Sequence, residues 1–193
     1  MNSIIGFADI LKEKIFGPLN EKQFKQISNV STSGKHLLKL IDDILDLSKV
    51  ETGNMEFYPE EFSISDMFEE IKATLAPLAS KKNVWIEDEL DMELKKVKAD
   101  RTKLKQVLYN LIDNAIKFTP ENGIIKVNAR ASGKDVIISV SDSGPGIPLS
   151  DQKRLFEPFT QLGKFESREQ PGTGLGLAIV QKGSSSYNMG SFV

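Results

Sequence analysis

From Glu21 to about Glu51 the apolar residues fall into two neighbouring stripes, Leu37, Leu40, Ile44 and Leu47 in one and Leu38, Ile41 and Leu45 in the other. Residues three and four apart share a helix face, so the spacing predicts one long helix with an unusually wide apolar surface. Upstream, Ile4, Ala8, Leu11 and Ile15 keep helical spacing across residues 2–15, and Phe16-Gly17-Pro18-Leu19-Asn20 breaks the pattern between the two segments. The expectation is an antiparallel helical hairpin. Two helices cannot cover so broad a face, so a homodimer through residues 2–51, forming a four-helix bundle, is expected. Packing of the hairpin on the following domain is the plainer alternative.

The chain has 193 residues, enough for one ordinary domain beside the hairpin. Basic residues number 25 and acidic residues 27, a formal charge of -2, so no basic surplus points to nucleic acid. Cysteine is absent, which excludes disulfides, thiolate metal sites and Cys nucleophiles, and the single histidine, His36, excludes a multi-histidine metal centre. No apolar run is long enough to cross a bilayer and no signal-peptide pattern opens the chain. A cytoplasmic location without membrane contact by this chain is expected; a longer parent protein with its own anchor is compatible with that.

Thr52-Gly53-Asn54 punctuates the chain and sets the expected boundary of the hairpin, residues 1–53. An extended run follows from Met55 to Phe62, then a helix from about Ser65 to Ala79 with Ser65 or Asp66 as its N-cap. Val84-Trp85-Ile86 and Val97-Lys98-Ala99 are strand candidates. Asp100 is placed to cap a long helix that reaches Phe118 and stops at Thr119-Pro120. Ile124–Ala131 and Val136–Ser141 read as two strands of a hairpin, joined by Ser132-Gly133-Lys134-Asp135. Strands and helices mixed without strict alternation predict an α+β fold, an α/β sandwich of one sheet with helices on one face, over residues 54–182. Residues 183–193 form a Gly/Ser-rich tail that reads as linker or turn.

Four short motifs follow one another in the second half. In the first, Asn110, Asn114 and Lys117 recur at i, i+4 and i+7 and so line up on one helix edge. Neutral amides beside a cation suit a metal-bound triphosphate: an Asn oxygen can take one position on Mg²⁺, which keeps its waters and phosphate oxygens otherwise. The same residues also suit a solvated helix face. In the second motif, Asp142 continues the parity of Val136, Ile138 and Val140, which turns a carboxylate toward the core side of the strand. An ionised carboxylate only accepts hydrogen bonds, which fits the exocyclic amine of adenine and opposes the carbonyl of guanine. Ser143-Gly144-Pro145-Gly146 then permits a sharp turn and close backbone approach to a ligand, although Asp-Ser-Gly is common in ordinary turns.

Phe156-Glu-Pro-Phe159 is the third motif, an apolar anchor within a long polar connection that reads as a lid or a linker. Arg154, Gln161 and Arg168 of that connection are candidates to reach a terminal phosphate. The fourth motif, Gly172-Thr173-Gly174-Leu175-Gly176, leads into the apolar run Leu177–Val180, and glycines at a helix start expose N–H groups to an anion. It is not a P-loop, because no Gly-Lys-Ser/Thr follows, and no βαβ unit precedes it.

In this order the motifs resemble those of the sensor histidine kinases of two-component signalling, with an ATP-binding catalytic domain of the Bergerat type. Asn110–Thr119 resembles the family's N-box, Asp142–Pro148 its first glycine box, Phe156–Phe159 its phenylalanine box and Gly172–Ala178 its second glycine box. The resemblance implies Asn114 on Mg²⁺, Asn110 and Lys117 near the phosphates, Phe118 near the base and Asp142 on adenine. It also implies Gly144, Gly146, Ile147, Gly172, Thr173, Gly174, Leu175 and Gly176 as ATP-binding positions. Residues 2–51 look like the family's dimerisation and phosphotransfer hairpin, with a response regulator receiver domain as the implied partner.

Two features depart from the family pattern. Met1-Asn2-Ser3-Ile4-Ile5-Gly6-Phe7 resembles only the end of the acceptor stretch, so the acceptor histidine is expected upstream, outside this chain, and phosphorylation of the chain itself is not expected. His36 is followed by Leu37 where the family has an acid, and is read as a rim residue of the bundle. After Gln181 the expected helix and strands give way to the Gly/Ser-rich tail. The implied activity is transfer of the ATP γ-phosphate to a histidine outside this chain, for relay to a response regulator. A non-catalytic dimerising scaffold that docks a response regulator, and an ATP-hydrolysing relative like gyrase, are the alternatives. The second needs a carboxylate where this chain has Asn110.

Overall fold

The computed structural model describes residues 1–52, 56–91, 94, 96–133, 135–160, 173–178 and 180. The chain divides into two compact units, Met1–Lys49 and Val50–Val193.

The first unit holds α1 (Asn2–Lys12) and most of α2 (Glu21–Glu51). Asn20 and Gln23 start α2 with a reciprocal cap: the Gln23 N–H donates to Asn20 Oδ1 at 2.9 Å and the Asn20 N–H to Gln23 Oε1 at 3.0 Å. The helices pack closely at Gly34, where a β-carbon would stand 2.9 Å from Ile5 Cγ1. Beside that contact Asp9 accepts from the Ser31 hydroxyl at 2.6 Å and the Lys35 ammonium at 2.9 Å. α1 stops at Lys12 rather than near Ile15: Lys14 takes a left-handed φ of 59°, and Ile15 beyond it is exposed. The hairpin cannot cover its own apolar surface. Leu47 is buried and Leu38 and Leu40 half-buried, but Leu37, Ile41, Ile44 and Leu45 remain 40–53% exposed.

The second unit is an α+β sandwich. Its larger sheet has the order β2 (Trp85–Leu90), β4 (Ile124–Ser132), β5 (Asp135–Asp142); β2 is parallel to β4, and β4 and β5 form an antiparallel hairpin. β1 (Glu60–Phe62) and β3 (Val97–Ala99) pair separately as a two-stranded antiparallel sheet, where a single sheet was expected. The helices α3 (Ile64–Lys81) and α4 (Arg101–Phe118) supply the other layer. Alternate residues of β4, Ile125, Val127 and Ala129, are buried against Phe68, Ile71 and Leu75 of α3 and Leu108 and Ile112 of α4. Each such side chain contributes about 1.5–3 kcal/mol by leaving water, so Phe68→Ala is expected to cost about 3–5 kcal/mol. Among the described residues no helix is long and apolar enough to cross a membrane.

Three local expectations are corrected. Ser63, not Ser65 or Asp66, caps α3, its hydroxyl accepting the Asp66 N–H at 3.2 Å, because the helix begins early enough to bury Ile64. On α4, Leu111 is only half-buried, while Ile112 and Ile116 complete the core face. β2 extends well past Ile86. Asp88 hid that strand in the sequence, since it pairs with buried Val127 and lies on the helix-facing side; Lys72 of α3 meets it there at 2.6 Å.

Candidate functional site

α4 is the spine of the site. The Asp100 carboxylate caps it, Oδ1 accepting the Lys103 N–H at 3.0 Å while Oδ2 accepts the Tyr58 N–H at 3.1 Å. At the other end the Lys82 ammonium donates to the carbonyls of Ile116 at 3.0 Å and Lys117 at 2.6 Å, satisfying acceptors that the helix leaves open. Lys82 lies far from these carbonyls in sequence, and no local pattern announces the contact. Between the two caps Asn110 is buried and Asn114 half-buried.

The two glycine segments close onto this helix. A β-carbon on Gly176 would stand 3.7 Å from Asn110 Cγ, so the fourth motif lies directly over the first. A β-carbon on Gly144 would stand 3.1 Å from the Phe118 carbonyl oxygen, which puts the second motif against the end of the same helix. Gly174, with φ +69°, faces the phenylalanine segment: its β-carbon would stand 2.8 Å from the Phe159 carbonyl carbon. The second and fourth motifs therefore meet the first on α4, and the third meets the fourth.

Asp142 ends β5 opposite Ile125, a fully buried residue, so the carboxylate does lie on the core side of the sheet. It is nevertheless exposed, because it stands where the strand ends and the layers part. Oδ1 accepts the Gly144 N–H at 2.8 Å. Among the described residues Oδ2 has no hydrogen-bond donor, which leaves an open acceptor on an exposed side chain. Gly146 takes φ +70°, a left-handed value that favours glycine, and Ile147 is 43% exposed beside it. On the second glycine segment Thr173 Oγ1 accepts the Leu175 N–H at 3.2 Å. Leu175, Ala178 and Val180 are fully buried, and the helix that begins at Gly176 is anchored by them.

The remaining candidates have partners and exposures that the sequence did not show. Lys117 is on the expected edge, but its ammonium lies 2.6 Å from Asp113 Oδ2, one helical turn back. Phe118 is 61% exposed and Phe159 is 62% exposed. The Phe159 side chain is therefore not what holds its segment; its backbone packs against Gly174 at φ +62°. Arg154 is paired with Glu157 at 3.4 Å. Burial, and then the Asp113 charge, hold the Tyr109 phenol above its ordinary pKa, so it stays protonated. Gly172, Gln161 and Arg168 lie outside the described residues.

The donor set fits Mg²⁺-ATP. Close glycine approaches leave backbone rather than side chains beside Asn110 and Phe118. Among the described residues no group of three or more His, Cys, Asp or Glu could cage a metal. Mg²⁺ keeps most of its waters and takes phosphate oxygens with one or two protein ligands, and half-buried Asn114 could supply one.

The histidine kinase-, DNA gyrase B- and HSP90-like ATPase family matches residues 99–192, and the His kinase A (phospho-acceptor) domain matches residues 1–53. The catalytic domain of the histidine kinase ThkA is 39% identical to this chain, with a TM-score of 0.56 over 66% of this chain and 79% of ThkA's. This chain belongs to the sensor histidine kinases. A sensor-like histidine kinase of Rhizobium meliloti is 36% identical over 182 residues, which are 94% of this chain and 35% of that protein. The chain thus spans about a third of that relative's length. Full-length ShkA, solved in complex with AMPPNP, has a TM-score of 0.79 at 30% identity, covering 97% of this chain and 38% of ShkA. ThkA is also known in complex with the response regulator TrrA, at 33% identity and a TM-score of 0.60, over 83% of this chain and 46% of ThkA's.

Proposed function

We propose that this histidine kinase segment binds Mg²⁺-ATP around α4 and transfers the γ-phosphate to a histidine outside the segment, for relay to a response regulator. The observation that carries the reading is the convergence of the motifs: Gly176 over Asn110, Gly144 against Phe118 and Gly174 against Phe159. In phosphoryl transfer there is little covalent work for the protein to do, and positioning with charge neutralisation supplies most of the effect. When bound, Mg²⁺ would supply charge neutralisation for the triphosphate. Asn114, with Asn110 beside it, offers the amide oxygen that holds the ion, and Asp142 Oδ2 accepts from the adenine amine. An imidazole nitrogen then bonds to the γ-phosphorus as the bond from that phosphorus to the bridging oxygen breaks and ADP leaves with the electron pair; the imidazole N–H proton passes to solvent water.

Water activation is disfavoured in the same site. Asn110 cannot take a proton at neutral pH, and the neighbouring carboxylate, Asp113, is engaged by Lys117. The ThkA–TrrA complex supports a receiver domain as the partner. The exposed stripe of Leu37, Ile41, Ile44 and Leu45 supports homodimerisation through residues 2–51.

Titration calorimetry with ATP and GTP, with and without Mg²⁺, tests the nucleotide reading. ATP is expected to bind with a clear preference over GTP and more tightly with Mg²⁺. Failure to bind ATP at millimolar concentration would overturn the reading in favour of a scaffold.

A further inference from the structure

The turn that carries Asp142 is held by residues to which no nucleotide role is assigned. Ser143 makes two hydrogen bonds to Ile124, the first residue of β4: its N–H donates to the Ile124 carbonyl at 3.1 Å, and its hydroxyl accepts the Ile124 N–H at 3.0 Å. The pair extends the β4–β5 ladder one step past Asp142. Next to Ile124 stands Gly123, where a β-carbon would be 2.2 Å from Thr119 Cγ2, 2.7 Å from Ser143 Oγ and 3.0 Å from the Pro120 carbonyl oxygen. Contacts of 2.2 and 2.7 Å are shorter than packed atoms tolerate, so only a residue without a side chain lets these three groups meet. Gly123 is also tied down, its N–H donating to the Pro120 carbonyl and its carbonyl accepting the Trp85 N–H. The base-facing groups sit on either side of this junction. Phe118 immediately precedes Thr119, Asp142 immediately precedes Ser143, and Gly144 touches the Phe118 carbonyl.

We propose that Gly123 and Ser143 are positioning residues for base recognition: they lock the Asp142–Gly144 turn against the Phe118–Thr119 end of α4 and so set where the Asp142 carboxylate meets the base. The inference rests on the Mg²⁺-ATP reading and adds to it the residues that make the site selective for adenine. Of the phosphate-facing groups, Asn110 and Gly176 lie about two helical turns back along α4 from this junction, whereas Asn114 lies about one turn back and Lys117 adjoins Phe118.

The test compares the full chain with Ser143→Ala, Ser143→Thr and Gly123→Ala, measuring affinity for Mg²⁺-ATP, Mg²⁺-GTP and Mg²⁺-tripolyphosphate by calorimetry and folding by thermal unfolding. In Ser143→Ala, ATP affinity is expected to fall about tenfold, with the ATP-over-GTP preference narrowing by the same factor and tripolyphosphate affinity unchanged. Ser143→Thr keeps the hydroxyl and is expected to retain the ATP preference. Gly123→Ala is expected to lose it at least as completely as Ser143→Ala. Wild-type ATP preference in Ser143→Ala would overturn the positioning role, and so would equal losses of ATP and tripolyphosphate affinity. If the unaltered chain binds tripolyphosphate but not ATP in preference to GTP, the adenine reading itself fails, separately from the junction.

Discussion

The Lys117 ammonium lies 2.6 Å from Asp113 Oδ2, on a helix turn where the Asp113 side chain is 10% exposed and that of Lys117 27%. The cation placed by the sequence to meet a phosphate is thus paired within its own helix. Asp113→Asn is expected to release it, tightening ATP binding about two- to fivefold at low salt while removing an i,i+4 pair worth about 0.5 kcal/mol. Calorimetry at two ionic strengths checks this. Unchanged affinity at both would mean that Lys117 does not reach the phosphates.

Among the described residues one Asp142 carboxylate oxygen has no hydrogen-bond donor while the other is held by the Gly144 N–H. Asp142→Ala is expected to weaken ATP binding by about 1.4 kcal/mol, roughly tenfold, with little effect on GTP. A variant that weakens both nucleotides equally would show that the carboxylate does not read the base.

Gly174 combines a left-handed φ of +69° with a β-carbon position 2.8 Å from the Phe159 backbone. Gly174→Ala is therefore strained twice over and is expected to cost more than about 1 kcal/mol of stability. Thermal unfolding gives the stability change and nucleotide titration the accompanying loss of affinity. A fully stable variant with normal ATP binding would separate the second glycine segment from the phenylalanine segment.

Asp9 ties α1 to α2, and the Ser31 hydroxyl first, then the Lys35 ammonium, hold its carboxyl below the usual carboxylate pKa. A lowered folded-state pKa means that the unfolded chain takes up the proton first, so this stabilisation is present above about pH 4 and is lost as pH falls through the lowered Asp9 value. Urea unfolding followed by circular dichroism should find the wild-type hairpin more stable than Asp9→Asn near pH 6, with the difference shrinking as pH falls below about 4. A difference that stays constant across that range would show that ionisation of Asp9 is not what joins the helices.

Ile41 and Leu45 are 40% and 53% exposed on α2. Replacing both with Glu is expected to yield a monomer by light scattering while ATP binding stays unchanged, because the nucleotide groups lie in the other unit. A dimer that survives both substitutions would place the interface elsewhere.

Much of this molecule was legible because its signals are local. The two-stripe helix, the Asp100 cap and the β4–β5 hairpin follow from spacing and turn chemistry over a few residues, and all three are present. So is the parity of Asp142 with Ile138 and Val140, which the pairing of these residues with Ile125, Ala129 and Val127 bears out. β2 was read short for the opposite reason. Its acidic run makes sense only with Lys72, from another element, opposite Asp88. Lys82 on the end of α4 and Gly123 between Thr119 and Ser143 belong to the same class, because each acts on a group that only the fold brings near.

Residue types, and their order along the chain, were enough to group amides, a carboxylate and glycines as candidates for one nucleotide pocket, since each motif carries its own donors, acceptors and backbone freedom. Which of those groups remain available was decided only by tertiary structure. Burial of Asn110 under Gly176 and the seating of Gly144 on the Phe118 carbonyl depend on distances between elements. Such distances are set by how apolar faces pack in three dimensions, and that packing is not written in the spacing of any single segment.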